Sequence, residues 1–305
     1  MTTKEINERA LDLLDNRDWY NAQALFFQNA RIAPSYKTYN NLGYYLISEG
    51  LTLRSGVSRN AYKLGLKYIL KSIDEKKSAV NLFALATAYD YRLRRASDDE
   101  RKILYNKSYL CLDEALKIEY SDVILYNILR LSMLEGRIDE SILEKSRQLI
   151  KGFLNEDSVT LHLSILRKLS AKEEGLKCID DYGAYLEEVD LLFFYSGFGY
   201  YKEGFDLCRS ILDKYSIDKF IASAIIECCA NTERYDEMKN YSDIIKERES
   251  ESIHRSIKAE ELEMILGNST ASSEYRKNLI KNYYLILPFM KTCCYFGCNT
   301  HGVPF

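Results

Sequence analysis

A helix-turn-helix pattern that returns about every 34 residues limits what this chain can become more than any other feature of it. The clearest copy is Tyr201-Lys-Glu-Gly204, echoed at Tyr235-Asp-Glu-Met238, with Leu207 and Tyr241, and Ile211 and Ile245, in the same register. A period of this length is that of stacked helical hairpins, in which no single repeat buries its apolar face alone. The residue that opens the second helix of each hairpin is marked by Ala22, Gly65, Ser108, Ser141, Gly175, Gly204 and Met238, at spacings of 43, 43, 33, 34, 29 and 34. Small residues there let antiparallel helices approach to roughly 8–10 Å. The expectation is an all-α, right-handed solenoid of about seven hairpins over 1–287, followed by an irregular tail over 288–305. The two longer spacings imply insertions between hairpins, around 48–60 and 92–100.

The first helices carry a nameable pattern. Tyr39, Leu42, Gly43 and Leu46 stand in the W-x2-L-G-x2-Y spacing of a tetratricopeptide repeat, with Leu82, Leu85, Ala86 and Tyr89, and Leu125, Ile128, Leu129 and Ser132, in the same places. The segment from about 5 to 287 therefore resembles the tetratricopeptide-repeat superfamily. That resemblance implies a protein- or peptide-binding scaffold whose first helices line an inner surface. In such domains an asparagine just before the Leu-Gly pair commonly bonds the backbone of a bound peptide. By resemblance Asn41 takes that role, with Lys37, Asn40 and Tyr44 as its neighbours.

Composition narrows the function classes. Hydrophobic residues at 47%, charged residues at 29% and only three prolines suit a helical chain with a large core. The net charge of −3 gives no general attraction for nucleic acid. Arg92, Arg94 and Arg95 form a local basic patch that Asp98, Asp99 and Glu100 offset at once, which reads as a solvated loop. No apolar run reaches the roughly 20 residues of a membrane span. The polar N-terminus lacks a secretory signal, so a cytoplasmic location is expected, and the eight cysteines are expected to be reduced thiols. P-loop, zincin and nucleophile-elbow motifs are absent, which argues against an enzyme. His162, Cys111, Cys178, Cys208 and the pair Cys228-Cys229 fall on apolar-periodic helices and read as core residues.

The tail differs in kind. Cys293, Cys294, Cys298 and His301 fall within nine residues, among glycine, proline and aromatics. Three readings compete. Phe289, Tyr295, Phe296 and Phe305 can cover the open end of the solenoid or lie in its groove. The thiols and the imidazole can hold zinc, although their spacing is that of no known finger. Or the tail, which resembles the cysteine-rich core of ribosomally made and modified peptides, is the substrate of a partner enzyme, with the helical part as its carrier.

Overall fold

The computed structural model describes residues 1–48, 58–93, 96–251, 259–267, 270–282, 287–290 and 294–296. The described residues are helical, with no strand among them, and fall into two compact units, one of residues 1–135 with 289–305 and one of residues 136–288.

The first unit holds α1 (Thr3–Asp15), α2 (Trp19–Ile32), α3 (Tyr36–Ser48), α4 (Ser58–Glu75), α5 (Ala79–Leu93), α6 (Asp98–Ile118) and α7 (Asp122–Leu134). Helices α1/α2, α3/α4 and α5/α6 pack as antiparallel hairpins, and α3 also touches α5. Local chemistry sets their ends. Thr2 and Glu5 form a capping box at the start of α1, and Asp18 caps α2. Gly43 and Gly65 face each other where α3 crosses α4: a Cβ added to either would stand 2.8 Å from the carbonyl oxygen of the other. Part of the longer spacing is taken up as helix, residues 49–57 lying outside the described ones. With 18 residues in α4 and 21 in α6, Gly65 and Ser108 lie two or more turns inside their helices. Arg92 belongs to α5 and pairs with Glu100. Asp98, Asp99 and Glu100 form the first turn of α6, where the helix dipole favours negative charge. The solvated-loop reading is therefore corrected for these residues; Arg94 and Arg95 lie outside the described ones.

The second unit holds α8 (Glu140–Gly152), α9 (Glu156–Lys168), α10 (Lys172–Tyr182), α11 (Glu188–Phe198), α12 (Tyr201–Lys214), α13 (Lys219–Asn231), α14 (Tyr235–Glu251), α15 (Ala259–Leu266) and α16 (Thr270–Asn282). Consecutive helices from α8 to α14 pack on one another, α15 packs on α13 and α16, and α16 lies across α11 and α13. Arg167 of α9 donates to the carbonyls of Ile280 and Lys281 at the end of α16, both at 2.9 Å. Arg276 on α16 pairs with Glu227 of α13 at 2.9 Å, and both side chains are buried. Its Nη1 donates to Ile265 O and Ser272 Oγ, which offsets part of the cost of burying the charge.

Every helix marked in the sequence by its opening residue is present, from α2 to α14, and α15/α16 add a further pair. One marker is out of register. Ser141 is exposed as the second residue of α8, and the buried residue one turn into that helix is Leu143.

The turns share one device. Arg17, Gly136, Ser170, Gly199 and Glu233 all have positive φ, between 58° and 85°. At four of these turns the next residue's N–H reaches back to close the end of the preceding helix: Asp18 to Leu13 O, Ala171 to Leu166 O, Tyr200 to Tyr195 O and Arg234 to Cys229 O. This is the left-handed cap that satisfies carbonyls the helix leaves open.

Candidate functional site

The odd-numbered helices of the first unit share a face that carries amides and aromatics rather than aliphatic residues. On α3 the residues Tyr36, Lys37, Asn40, Asn41, Tyr44 and Ser48 recur at helical spacing. Asn7 on α1, Phe83 and Asp90 on α5, and Asn127 and Arg130 on α7 continue that face. A helix with a polar stripe ordinarily turns it to water. Here α3 is buried without a break from Thr38 to Ile47, and α7 from Val123 to Met133. What covers them is the C-terminal tail of the same chain.

The tail is held chiefly by its backbone. Asn41 donates from Nδ2 to Phe296 O at 3.0 Å, and its Oδ1 accepts the Phe296 N–H at 2.7 Å. Asn7 supports the same carbonyl from Nδ2 at 2.8 Å, while its own Oδ1 accepts from Asn41 at 2.7 Å. Asn127 repeats the motif, donating to Met290 O at 2.8 Å and accepting the Met290 N–H at 3.0 Å. Asn40 donates to Cys294 O at 2.6 Å. A buried amide costs free energy unless it is bonded, so these contacts explain how Asn41 and Asn127 stand at 2% exposure or less.

Aromatic contacts fix the side chains. Tyr295 stacks on Phe26 with ring centres 5.5 Å apart, meets Tyr44 edge-on at 5.0 Å and places its hydroxyl 3.3 Å from Ser48 Oγ. Phe296 meets Tyr36 edge-on at 5.3 Å, with Lys37 Nζ 5.9 Å from its ring centre. Phe289 packs on Phe83 at 5.6 Å and beneath the Arg130 guanidinium at 5.7 Å. Arg130 is itself held by Asp90 at 2.9 Å.

All four residues assigned by resemblance, Lys37, Asn40, Asn41 and Tyr44, thus lie against 294–296. Asn7, Tyr36, Phe83, Asn127 and Arg130 were not singled out in the sequence. For Asn127 a signal existed, because it precedes Ile128-Leu129 as Asn41 precedes Leu42-Gly43. Of the tail candidates for metal or modification, Cys294 is fully buried in this groove. Cys293, Cys298 and His301 lie outside the described residues, as does Phe305.

Cys178, Cys208, Cys228, Cys229 and His162 are packed inside as expected, whereas Cys111, read as a core residue, is only partly buried on α6. Burial pushes Cys178 up to about 12 and Cys111 to about 11, far from the thiolate form that reacts or ligates. Cys208 is raised by hydrogen bonding with Cys228 and Cys229, and all three are fully buried. His162 Nδ1 bonds Ser146 Oγ at 2.8 Å, and burial holds its pKa down to about 4. Among the described residues no group of three His, Cys, Asp or Glu side chains could hold a metal ion, and no helix is long and apolar enough to cross a membrane.

No protein-family model matches the sequence, and no curated protein matches it. Among solved structures, the crystal structure of the TPR domain of P58(IPK) aligns over 92% of this chain and 99% of that one, at 11% identity and a TM-score of 0.22. A likeness that loose adds no weight. The hairpin architecture stands on this chain's own helices and turns.

Proposed function

We propose that this protein is a non-catalytic scaffold that binds protein partners through an extended peptide segment, laid across α1, α3, α5 and α7. The observation that carries the reading is the pairing of Asn41 and Asn127 with both backbone groups of one tail residue each. Such pairing recognises an extended chain whatever its side chains, as the backbone bonds of strand-addition complexes do. Rigid aromatic rings at Tyr36, Tyr44 and Phe83 add contact area at small entropic cost.

The test uses the full-length chain with Tyr295→Ala and Phe296→Ala, which weakens the tail's own hold. A labelled peptide of residues 289–296 is then titrated under reducing conditions and followed by fluorescence anisotropy. Saturable binding that Asn41→Ala weakens by about 1–3 kcal/mol supports the reading. Absence of saturable binding overturns it.

A second reading draws on the same contacts. Groove and tail are matched within one chain, which suits a carrier whose cysteine-rich tail is the substrate of a partner enzyme. Mass measurement of native protein and of its proteolytic peptides separates the two readings: a mass change confined to 288–305 favours the carrier.

A further inference from the structure

The two asparagine pairs are not arbitrarily placed. Asn41, Ala84 and Asn127 recur at intervals of 43 residues, one on each of the successive first helices α3, α5 and α7. The middle position cannot clamp, so only the outer two hold backbone. The residues they hold, Met290 and Phe296, are six apart in sequence. Six extended residues span at most about 20 Å. The Asn127 and Asn41 clamps therefore stand no farther apart than that along the groove. The groove is thus a ruler as well as a clamp, and the tail runs along it against the order of the repeats.

Side-chain preferences attach to fixed marks on that ruler. Next to the Asn127 clamp, Phe289 is taken between the Phe83 ring and the Arg130 guanidinium and is 5% exposed. At the other end, Tyr295 lies between Phe26 and Tyr44, and Phe296 between Tyr36 and Lys37. The residue before that pair, Cys294, is fully enclosed and gives its carbonyl to Asn40, so this mark admits a small side chain.

Resting on the peptide-binding reading above, we propose that the groove selects an extended peptide in which an aromatic residue is followed, six and seven positions later, by an aromatic pair preceded by a small residue. The chain's own residues 289–290 and 294–296 occupy these marks as the resident ligand, and an incoming peptide must displace them. A tethered ligand competes at an effective concentration in the millimolar range, so the wild-type chain resists exchange that an unseated tail allows.

The experiment compares three labelled peptides on full-length chains in reducing buffer. One has the sequence of residues 289–296, one has a single glycine inserted after its lysine, and one has alanine in place of its first phenylalanine. The chains are wild type, the Tyr295→Ala/Phe296→Ala variant and, as a milder unseating, Tyr295→Ala alone, each checked for native helicity by circular dichroism. The expected result is saturable binding of the parent peptide to the unseated chains. Affinity should be at least tenfold weaker for each altered peptide, and at least tenfold weaker for the parent on wild type. Equal affinity of the parent and inserted peptides overturns the register while leaving peptide binding intact. Equal affinity of wild-type and unseated chains overturns the resident ligand. Failure of every peptide to saturate any chain overturns the peptide-binding reading itself.

Discussion

Asn41 and Asn127 do the same thing at the same repeat position: each side-chain amide donates to the carbonyl and accepts from the N–H of a single tail residue, Phe296 and Met290 respectively. Two bonds to one residue leave no freedom in how the backbone lies. Loss of either amide should therefore loosen its own stretch of tail and not the other. Asn41→Ala is expected to speed amide exchange at 294–296, and Asn127→Ala at 289–290, each opening being easier by about 1–3 kcal/mol. Hydrogen exchange read by mass spectrometry on tail peptides checks this. Uniform acceleration along the whole tail from either substitution would show that the two clamps do not act separately.

Much of this architecture was legible because its cause is local. The helix period, the Leu42-Gly43 register and Gly65 follow from contacts within one hairpin, and Gly175 and Gly204 from the neighbour that the repeat stacks next, where they face Phe198 and Cys228. Register slipped at Ser141, where a small residue near the start of α8 imitates the marker while Leu143 takes the buried place. The two 43-residue spacings were ambiguous in sequence, since an insertion can be loop or extra helical turns; much of this one is helix in α4 and α6. Lys37, Asn40, Asn41 and Tyr44 were indicated by resemblance, and Phe289, Tyr295 and Phe296 as able to lie in the groove under one of three readings of the tail, but which residue meets which was not. The partners stand some 250 positions apart at α3, and nothing periodic links Tyr295 to Phe26 or Phe289 to Phe83.

The Gly43–Gly65 crossing makes a sharp stability test. A methyl group at Gly43 would meet the Gly65 carbonyl oxygen and the Ile69 nitrogen, both at 2.8 Å, and backbone cannot rotate out of the way. Gly43→Ala is expected to destabilise by about 1–3 kcal/mol through a forced separation of α3 and α4. Urea denaturation monitored by circular dichroism measures it. A neutral result would mean that the two helices separate at no cost.

The left-handed turn residues predict the opposite sign. Arg17, Ser170 and Glu233 hold φ near 60°, a conformation that costs side-chain-bearing residues roughly 1–2 kcal/mol and glycine little. Part of that gain is returned to the unfolded chain, where glycine is freer. Ser170→Gly should therefore stabilise by about 0.5–1 kcal/mol, whereas glycine at Leu169, whose φ is −84°, should destabilise. Paired denaturation curves decide it, and a loss of stability in Ser170→Gly would refute the strain argument.

Two groups in the second unit, buried His162 and partly buried Asp190, give opposing pH dependences. His162 is held down to about 4 by burial, with Arg147 adding to the fall and Glu174 opposing it. Between pH 6.5 and 4 the unfolded chain takes up a proton that the folded His162 refuses, so stability from this site is lost as pH falls, by about 3 kcal/mol in full. Asp190 is pushed up to about 6 by burial, with Glu156 and Glu187 reinforcing it. The folded state there keeps a proton that the unfolded carboxyl gives up near 4, so its contribution is present at low pH and lost as pH rises through 6. Between pH 4 and 6 the two slopes partly cancel in the wild type, and substitution separates them. Asp190→Asn should match wild type near pH 4 and exceed it by about 1–3 kcal/mol at pH 7. Relative to wild type, His162→Gln should gain steadily as pH falls from 6.5 to 4. Denaturation at pH 4, 5, 6 and 7 measures both differences, and a gap that stays constant across the series for either variant would mean that its ionisation is not coupled to folding.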